Sequence, residues 1–333
     1  MLNLVTGAGG FLGLYITELL CAGGKKVRAF CRGKYPRLDA LGVETVRGDI
    51  CDSEKLEAVC RGVDTIFHVA AVCGIGEPWK RYYRTNTLGT RRLLEAAKKA
   101  GVRKFVYTSS SSVSCDGSAQ PGVAEKKTYP RRWLGHYPHS KALAEESVLK
   151  ANDPDGMLTC ALRPHLIWGR RDNSLIPRLV DRARSGRLRR IGAGDNLVDM
   201  ICVENVAAAH LQAAEALAPG SPVAGSAYFL SHGAPVNCWQ WIDELLAIYG
   251  LPPVKKQLSV HAAWYLGWFF EVLWKLIGWE EDPPMTRFLA GQMGKDHYYD
   301  ITRARQDFGF SPAMTKEEGM AALREEFLKG MDN

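Results

Sequence analysis

Near the start of this chain three glycines fall three residues apart, Gly7, Gly10 and Gly13, with an extra one at Gly9. They follow a short apolar run, Leu2 to Val5, that reads as a strand. Behind them Phe11, Leu12, Tyr15, Ile16, Leu19 and Leu20 recur at helical spacing. Strand, glycine turn, helix is a restrictive order. Glycines let the backbone turn tightly and approach a bound group with no β-carbon in the way. The helix N-terminus offers unpaired N–H groups and the positive end of its dipole to an anion. The stretch Thr6-Gly7-Ala8-Gly9-Gly10-Phe11-Leu12-Gly13 therefore predicts a pyrophosphate-binding turn that opens an α/β domain. A glycine-rich run elsewhere would be an ordinary tight turn; the place directly after a first strand makes it more.

A second strand, Lys26 to Phe30, ends in Cys31-Arg32-Gly33-Lys34. Sites for NAD commonly put Asp or Glu here, to hold the ribose hydroxyls. Cys31 takes that place, with Arg32, Lys34 and Arg37 close by. A guanidinium grips a ribose phosphate bidentately where a carboxylate would repel it. The expected cofactor is NADP(H), with Arg32 as its contact; Lys34 and Arg37 read equally well as solvated charges.

Tyr137-Pro138-His139-Ser140-Lys141 sets a phenol and an ammonium four residues apart. On a helix, expected from about Tyr137 to Ala151, they share a face. A free phenol has a pKa near 10, and a neighbouring ammonium lowers it into a range useful for proton transfer. Upstream, the apolar strand Lys104 to Thr108 runs into Ser109-Ser110-Ser111-Ser112. A hydroxyl at the C-terminal edge of a parallel strand can donate a hydrogen bond to a reacting oxygen. Each feature alone is common: a Tyr-x-x-x-Lys pair on an amphipathic helix, a serine-rich loop. Together, in this order after the glycine turn, they point to hydride transfer between a nicotinamide and a carbonyl.

Strands expected at Glu44 to Arg47, Thr65 to Val69 and Thr159 to Leu162 alternate with helices, one starting near Ser53 as its N-cap and one near Arg84 to Lys99. This alternation predicts an α/β fold: a doubly wound parallel Rossmann sheet with a smaller, interleaved C-terminal substrate cap. The expected boundaries are 1–167 for the dinucleotide-binding domain, with 197–232 returning to it, and 168–196 with 233–333 for the cap. Within the returning segment, Val198 to Ile201 and Ala227 to Leu230 read as strands and Val203 to Ala216 as a helix.

These stretches together make the chain resemble the extended short-chain dehydrogenase/reductase superfamily, and within it the 3β-hydroxysteroid dehydrogenase branch. The matching segments include Gly48-Asp49-Ile50, His68-Val69-Ala70-Ala71, Asn86-Thr87-Leu88-Gly89-Thr90, Tyr107-Thr108-Ser109-Ser110 and Leu162-Arg163-Pro164. Arg32-Gly33-Lys34-Tyr35-Pro36, Leu166-Ile167-Trp168-Gly169 and Pro284-Met285-Thr286-Arg287-Phe288 are more similar to the bacterial 2-alkyl-3-oxoalkanoate reductases of long-chain olefin biosynthesis. The resemblance implies roles. Tyr137 would protonate the carbonyl oxygen, Lys141 would tune Tyr137 and hold the nicotinamide ribose, and Ser110 would polarise the carbonyl, its register uncertain by one among four serines. Asn86 would serve a proton relay through water. Asp49 and Ile50 would contact the adenine, Ala70 and Ala71 the cofactor backbone, and Pro164 the nicotinamide. A homodimer is expected on the same ground. Cys31 departs from the acidic residue general in the steroid enzymes and favours the reductase. Steroid dehydrogenase, nucleotide-sugar epimerase or dehydratase, and non-catalytic cofactor sensor are the alternatives.

The formal charge of +7 is spread out, with clusters at Arg182-Ala183-Arg184 and Arg187-Leu188-Arg189-Arg190. No nucleic-acid partner is expected, because no recognition fold or interleaved aromatics accompany them. Nine cysteines, odd in number and without Cys-x-x-Cys, give neither a disulfide framework nor a zinc pattern, so no metal is expected. Thiol usage and the absence of a leader predict a cytoplasmic protein. His68 and His165, beside strand ends, are expected to line the cofactor site. The segment 262–279 holds four tryptophans but is interrupted by Glu271 and Lys275 and is short for a membrane span. It reads first as a packed helix pair. Otherwise it is a lid over a long apolar substrate, resting on a membrane periphery.

Overall fold

The computed structural model describes residues 1–331 apart from Ile75, Lys127 and residues 278–282; Gly278 and Trp279 of the tryptophan-rich segment thus lie outside the described residues. The first half alternates as expected: β1 (Leu2–Thr6), α1 (Phe11–Ala22), β2 (Lys26–Cys31), α2 (Pro36–Ala40), β3 (Glu44–Arg47), α3 (Ser53–Cys60), β4 (Thr65–His68), α4 (Trp79–Tyr82), α5 (Gly89–Lys99), β5 (Lys104–Thr108), β6 (Gln120–Val123), α6 (His136–Lys150) and β7 (Leu158–Pro164). The second half contains β8 (Ile167–Trp168), α7 (Leu175–Arg184), β9 (Arg190–Ile191), β10 (Leu197–Val198), β11 (Ile201–Cys202), α8 (Val203–Ala216), β12 (Ser226–Leu230), β13 (Val236–Asn237) and α9 (Cys238–Ile248). It ends with β14 (Gln257–Leu258), α10 (Val260–Ile277), α11 (Arg287–Gly294), β15 (His297–Tyr299), α12 (Thr302–Phe308) and α13 (Lys316–Met331).

Seven strands form one parallel sheet in the order β12-β7-β5-β4-β1-β2-β3. The chain runs outward from β1 to β3 on one side and from β4 to β12 on the other. The switch point therefore lies between β1 and β4, where an open α/β sheet opens a crevice at its strand C-termini. Burial on both faces explains why β4, β5 and β7 lack the apolar–polar alternation of a half-exposed strand. α1, α8 and α12 cover one face around Ile16, Val206, Tyr228 and Ala304; α3, α5 and α6 cover the other around Leu56, Leu93 and Val148.

A third core, around Trp168, Ile176, Ile191, Trp239, Leu245 and Ala290, belongs to the cap. Its connectivity departs from the expected boundaries. Val198 to Ile201 is no strand of the main sheet: Leu197–Val198 joins β13, β15 and β6 in a four-stranded sheet, and Ile201–Cys202 pairs with β8. β6 thus reaches the cap side from inside the first 167 residues, while Ile301, Ala304, Phe308 and Phe310 return to the main core. Short strands whose partners lie far off in the chain leave no local periodicity to read. At the start of α3, Asp52 rather than Ser53 is the N-cap, its carboxylate accepting from the Lys55 N–H at 3.2 Å.

Candidate active site

A cleft of about 600 Å³ runs along the C-terminal ends of the parallel strands. Gly7, Gly10, Phe11, Leu12 and Gly13 form its wall beyond β1. Arg32 stands beyond β2, Asp49 and Ile50 beyond β3, Ala70 and Ala71 beyond β4, Ser110 beyond β5 and Pro164 at the end of β7, while α6 contributes Tyr137 and Lys141. Of the residues singled out from sequence, Asn86, His68 and His165 stand outside this wall.

The glycine turn is built for close approach. A β-carbon on Gly13 would sit 2.1 Å from the Gly7 carbonyl oxygen, and Gly7, at φ +70°, would place one 2.9 Å from the Ala70 backbone. α1 begins at Gly10 with no side chain capping its first amides and no acidic residue in its first turn. Those amides and the positive end of the helix dipole face the cleft, which fits a dinucleotide pyrophosphate.

Tyr137, Ser110 and Cys73 line the same part of the cleft, where the hydroxyl and the thiol both act on the phenol. The four serines resolve because a 3₁₀ turn follows: Ser110 caps it, sharing a 2.8 Å contact with the Ser112 hydroxyl, and Ser111 is buried in the turn. Lys141 is buried, donates to the Thr108 carbonyl at 2.6 Å and lies 4.3 Å from the centre of the Tyr107 ring. Burial lowers its pKa to about 8. Lys141 is not among the leading influences on the Tyr137 phenol in the open cleft. Burial, followed by the Cys73 thiol, holds that phenol well above its usual range, against a smaller pull from Ser110. Tyr137 is thus a protonated acid beside a buried cation. One turn beyond Lys141, Glu145 pins α6 to β7 through Arg163, the pair meeting at 2.5 and 3.0 Å with Tyr129 donating to Glu145 at 2.6 Å.

Asn86 sits in a π-helical turn, Tyr83–Leu88, between α4 and α5. Its amide clamps the main chain of Val72, accepting from the Val72 N–H at 2.8 Å and donating to the Val72 carbonyl at 3.0 Å, and it donates to the Ser140 hydroxyl at 3.0 Å. It thereby fixes the loop that carries Ala70, Ala71 and Cys73. Neither histidine lines the cleft. His68 is turned inward between the hydroxyls of Thr6 (2.7 Å) and Thr90 (2.8 Å), where burial lowers its pKa to about 3. His165 pairs with Asp199 at 2.6 Å and contacts His297, joining the end of β7 to the cap strand β15.

Sequence reasoning missed Cys73, Tyr35 and the start of α7, Asp172 to Leu175, all of which line the cleft. Cys73 and Tyr35 carry no local signature. Asp172 does: its carboxylate accepts from the N–H groups of Ser174, Leu175 and Ile176, an Asp set just before a helix.

The sheet order, the glycine turn at the switch point and the Ser110–Tyr137–Lys141 cluster together define the short-chain dehydrogenase/reductase class of oxidoreductases. More narrowly, the profile of the 3-beta hydroxysteroid dehydrogenase/isomerase family matches residues 4–260, and the chain belongs to that family. It is 42% identical over 327 residues to a 2-alkyl-3-oxoalkanoate reductase of Shewanella oneidensis, covering 96% of this chain and 84% of the relative. It is 33% identical over 327 residues to a sterol-4-alpha-carboxylate 3-dehydrogenase, decarboxylating, of Mus musculus, covering 97% and 90%. Among solved structures, MoeE5 in complex with UDP-glucose and NAD superposes with a TM-score of 0.75 at 26% identity, over 99% of each chain.

Proposed function

We propose that this protein is an NADPH-dependent reductase that turns the ketone of a long-chain 2-alkyl-3-oxoalkanoic acid into a secondary alcohol. The carrying observation is the 42% identity to a 2-alkyl-3-oxoalkanoate reductase over nearly the whole chain, joined to the gathering of Ser110, Tyr137 and Lys141 in one cleft. Gly7 to Gly13 would hold the pyrophosphate, Arg32 the ribose phosphate, Asp49 and Ile50 the adenine end, and Ala70, Ala71 and Pro164 the rest. When bound, the nicotinamide supplies the hydride. Ser110 orients the substrate oxygen by donating a hydrogen bond to it. Tyr137 releases its phenolic proton to that oxygen, and Lys141, cationic below about pH 8, stabilises the phenolate left behind.

A 3-oxo acid carries its carboxylate two carbons from the ketone, so a cation is needed near the phenol. Arg170 and Arg171 are directed elsewhere, to Glu204 at 3.6 Å and Glu18 at 2.7 Å. Arg178 stands beside the loop that carries Cys73. Its Nη1 lies 3.8 Å from where a β-carbon on Gly74, the neighbour of Cys73, would be. We propose Arg178 as the contact for the substrate carboxylate on the strength of this place beside Gly74. Arg178→Leu should raise KM for the acid and leave KM for its methyl ester unchanged.

The second reading is a sterol 4-carboxylate dehydrogenase, favoured by the mouse relative; that substrate also sets a carboxylate beside the carbon that is oxidised. The deciding experiment follows reduced nicotinamide with NADP⁺ on a long-chain 2-alkyl-3-hydroxyalkanoic acid and, in parallel, on a 3β-hydroxysteroid and its 4-carboxylate. Turnover of the open-chain acid supports the proposal. Turnover of the sterols alone overturns it.

A further inference from the structure

We propose that the outward face of α10, together with the basic edge beside its first turn, docks on an anionic lipid surface. A helix on the surface of a soluble domain turns its apolar stripe toward the core. α10 does the reverse. Its inward face is Ala263, Gly267 and Glu271, the last accepting from both the backbone N–H and Nε of Arg287 at 2.7 Å. Its outward face is Tyr265, Trp268, Phe269, Val272 and Leu276, exposed by 69, 52, 51, 41 and 79%. Packing fixes this orientation. A β-carbon on Gly267 would meet the backbone of Thr286 and Arg287 at 2.6 Å, so no other face of α10 can lie so close to α11.

No residue of α10 lines the cleft, so this face is not a wall of the active site. Among the described residues no helix is long and apolar enough to cross a membrane. An aromatic-rich face of this kind suits the headgroup boundary, with the helix lying in its plane.

The charge beside it selects the kind of lipid. β14 pairs with β9, and the Arg190 N–H donates to the Lys256 carbonyl at 2.8 Å. This brings Arg187 and Arg189 beside Lys255 and Lys256, and Gly192 of the same segment lies so close to Val260, the first residue of α10, that a β-carbon on it would meet that side chain at 3.1 Å. None of these four cations has a carboxylate within ion-pair distance among the described residues. A basic edge continuous with an apolar aromatic face complements anionic headgroups over acyl chains.

The test is flotation of the purified protein with phosphatidylcholine vesicles and with mixed phosphatidylcholine–phosphatidylglycerol vesicles. The protein should float with the mixed vesicles and detach as salt rises. Lys255→Gln and Lys256→Gln should each weaken binding about fivefold. Trp268→Ser with Phe269→Ser should abolish it while leaving the thermal melt and the reduction of a small water-soluble ketone unchanged. Failure to float with anionic vesicles, or flotation of the aromatic double variant like the wild type, would overturn the proposal. So would a dimer that the double variant dissolves without any lipid binding. Flotation is read without substrate, so this outcome is independent of the substrate assignment.

Discussion

The Lys141 ammonium and the Thr108 carbonyl oxygen are 2.6 Å apart in a place where the lysine is almost wholly buried. The carbonyl at the end of β5 holds the cation below the phenol of the same helix, while burial lowers its pKa from 10.5 to about 8. Below that pH Lys141 is charged, and above it the charge is lost. The kcat/KM for ketone reduction should therefore fall as pH rises through about 8. A pH–rate profile flat to well above that value would refute the assignment.

The same shift makes a stability prediction. A lysine whose folded pKa is depressed costs the folded state stability wherever the cation is present, below about pH 8. The cost fades between about 8 and 10.5, where the unfolded chain binds the extra proton. Lys141→Met should thus stabilise the protein at neutral pH by on the order of 2 kcal/mol, while reduction is lost. Urea unfolding at neutral and alkaline pH checks both sign and window, since the difference should shrink at high pH.

Tyr137→Phe removes the proton donor and keeps the ring. Turnover should drop by roughly 10²–10⁴-fold. NADPH binding, followed by nicotinamide fluorescence, should persist. Near-normal turnover would move the acid elsewhere in the cleft.

Arg32→Ala should raise KM for NADPH about tenfold or more, the scale of a lost charged hydrogen bond, and leave that for NADH little changed. Equal effects on both cofactors would assign Arg32 to the part they share.

Breaking the buried Glu145–Arg163 pair leaves an uncompensated charge between α6 and β7. Glu145→Gln should destabilise by about 3–5 kcal/mol, seen as a lower urea midpoint. A cost near zero would mean that water reaches Arg163.

Much of this was legible in the sequence, and the reason is physical. β1, β4, β5 and β7 are buried on both faces and read as short apolar runs, and the glycine turn declares itself because no other residue fits its closest approaches. Tyr137 and Lys141 share a helix, so their spacing carries their geometry. What depends on tertiary surroundings was not legible. Lys141 is held by Thr108 and Tyr107 from other elements, and the loop that carries Cys73 into the cleft is clamped by Asn86 through Val72. The cap sheet joins β6, β10, β13 and β15, each two to four residues long, from four distant parts of the chain.

The return of Ile301, Ala304, Phe308 and Phe310 to the main core has a consequence for biosynthesis. Phe308 meets Tyr228 of β12 edge to face at 5.1 Å, so the last strand of the parallel sheet is covered by residues made some eighty positions later. While the ribosome is still translating the cap, the sheet has every strand it needs and an uncovered greasy flank. That flank is closed only once the segment around Phe308 has been made.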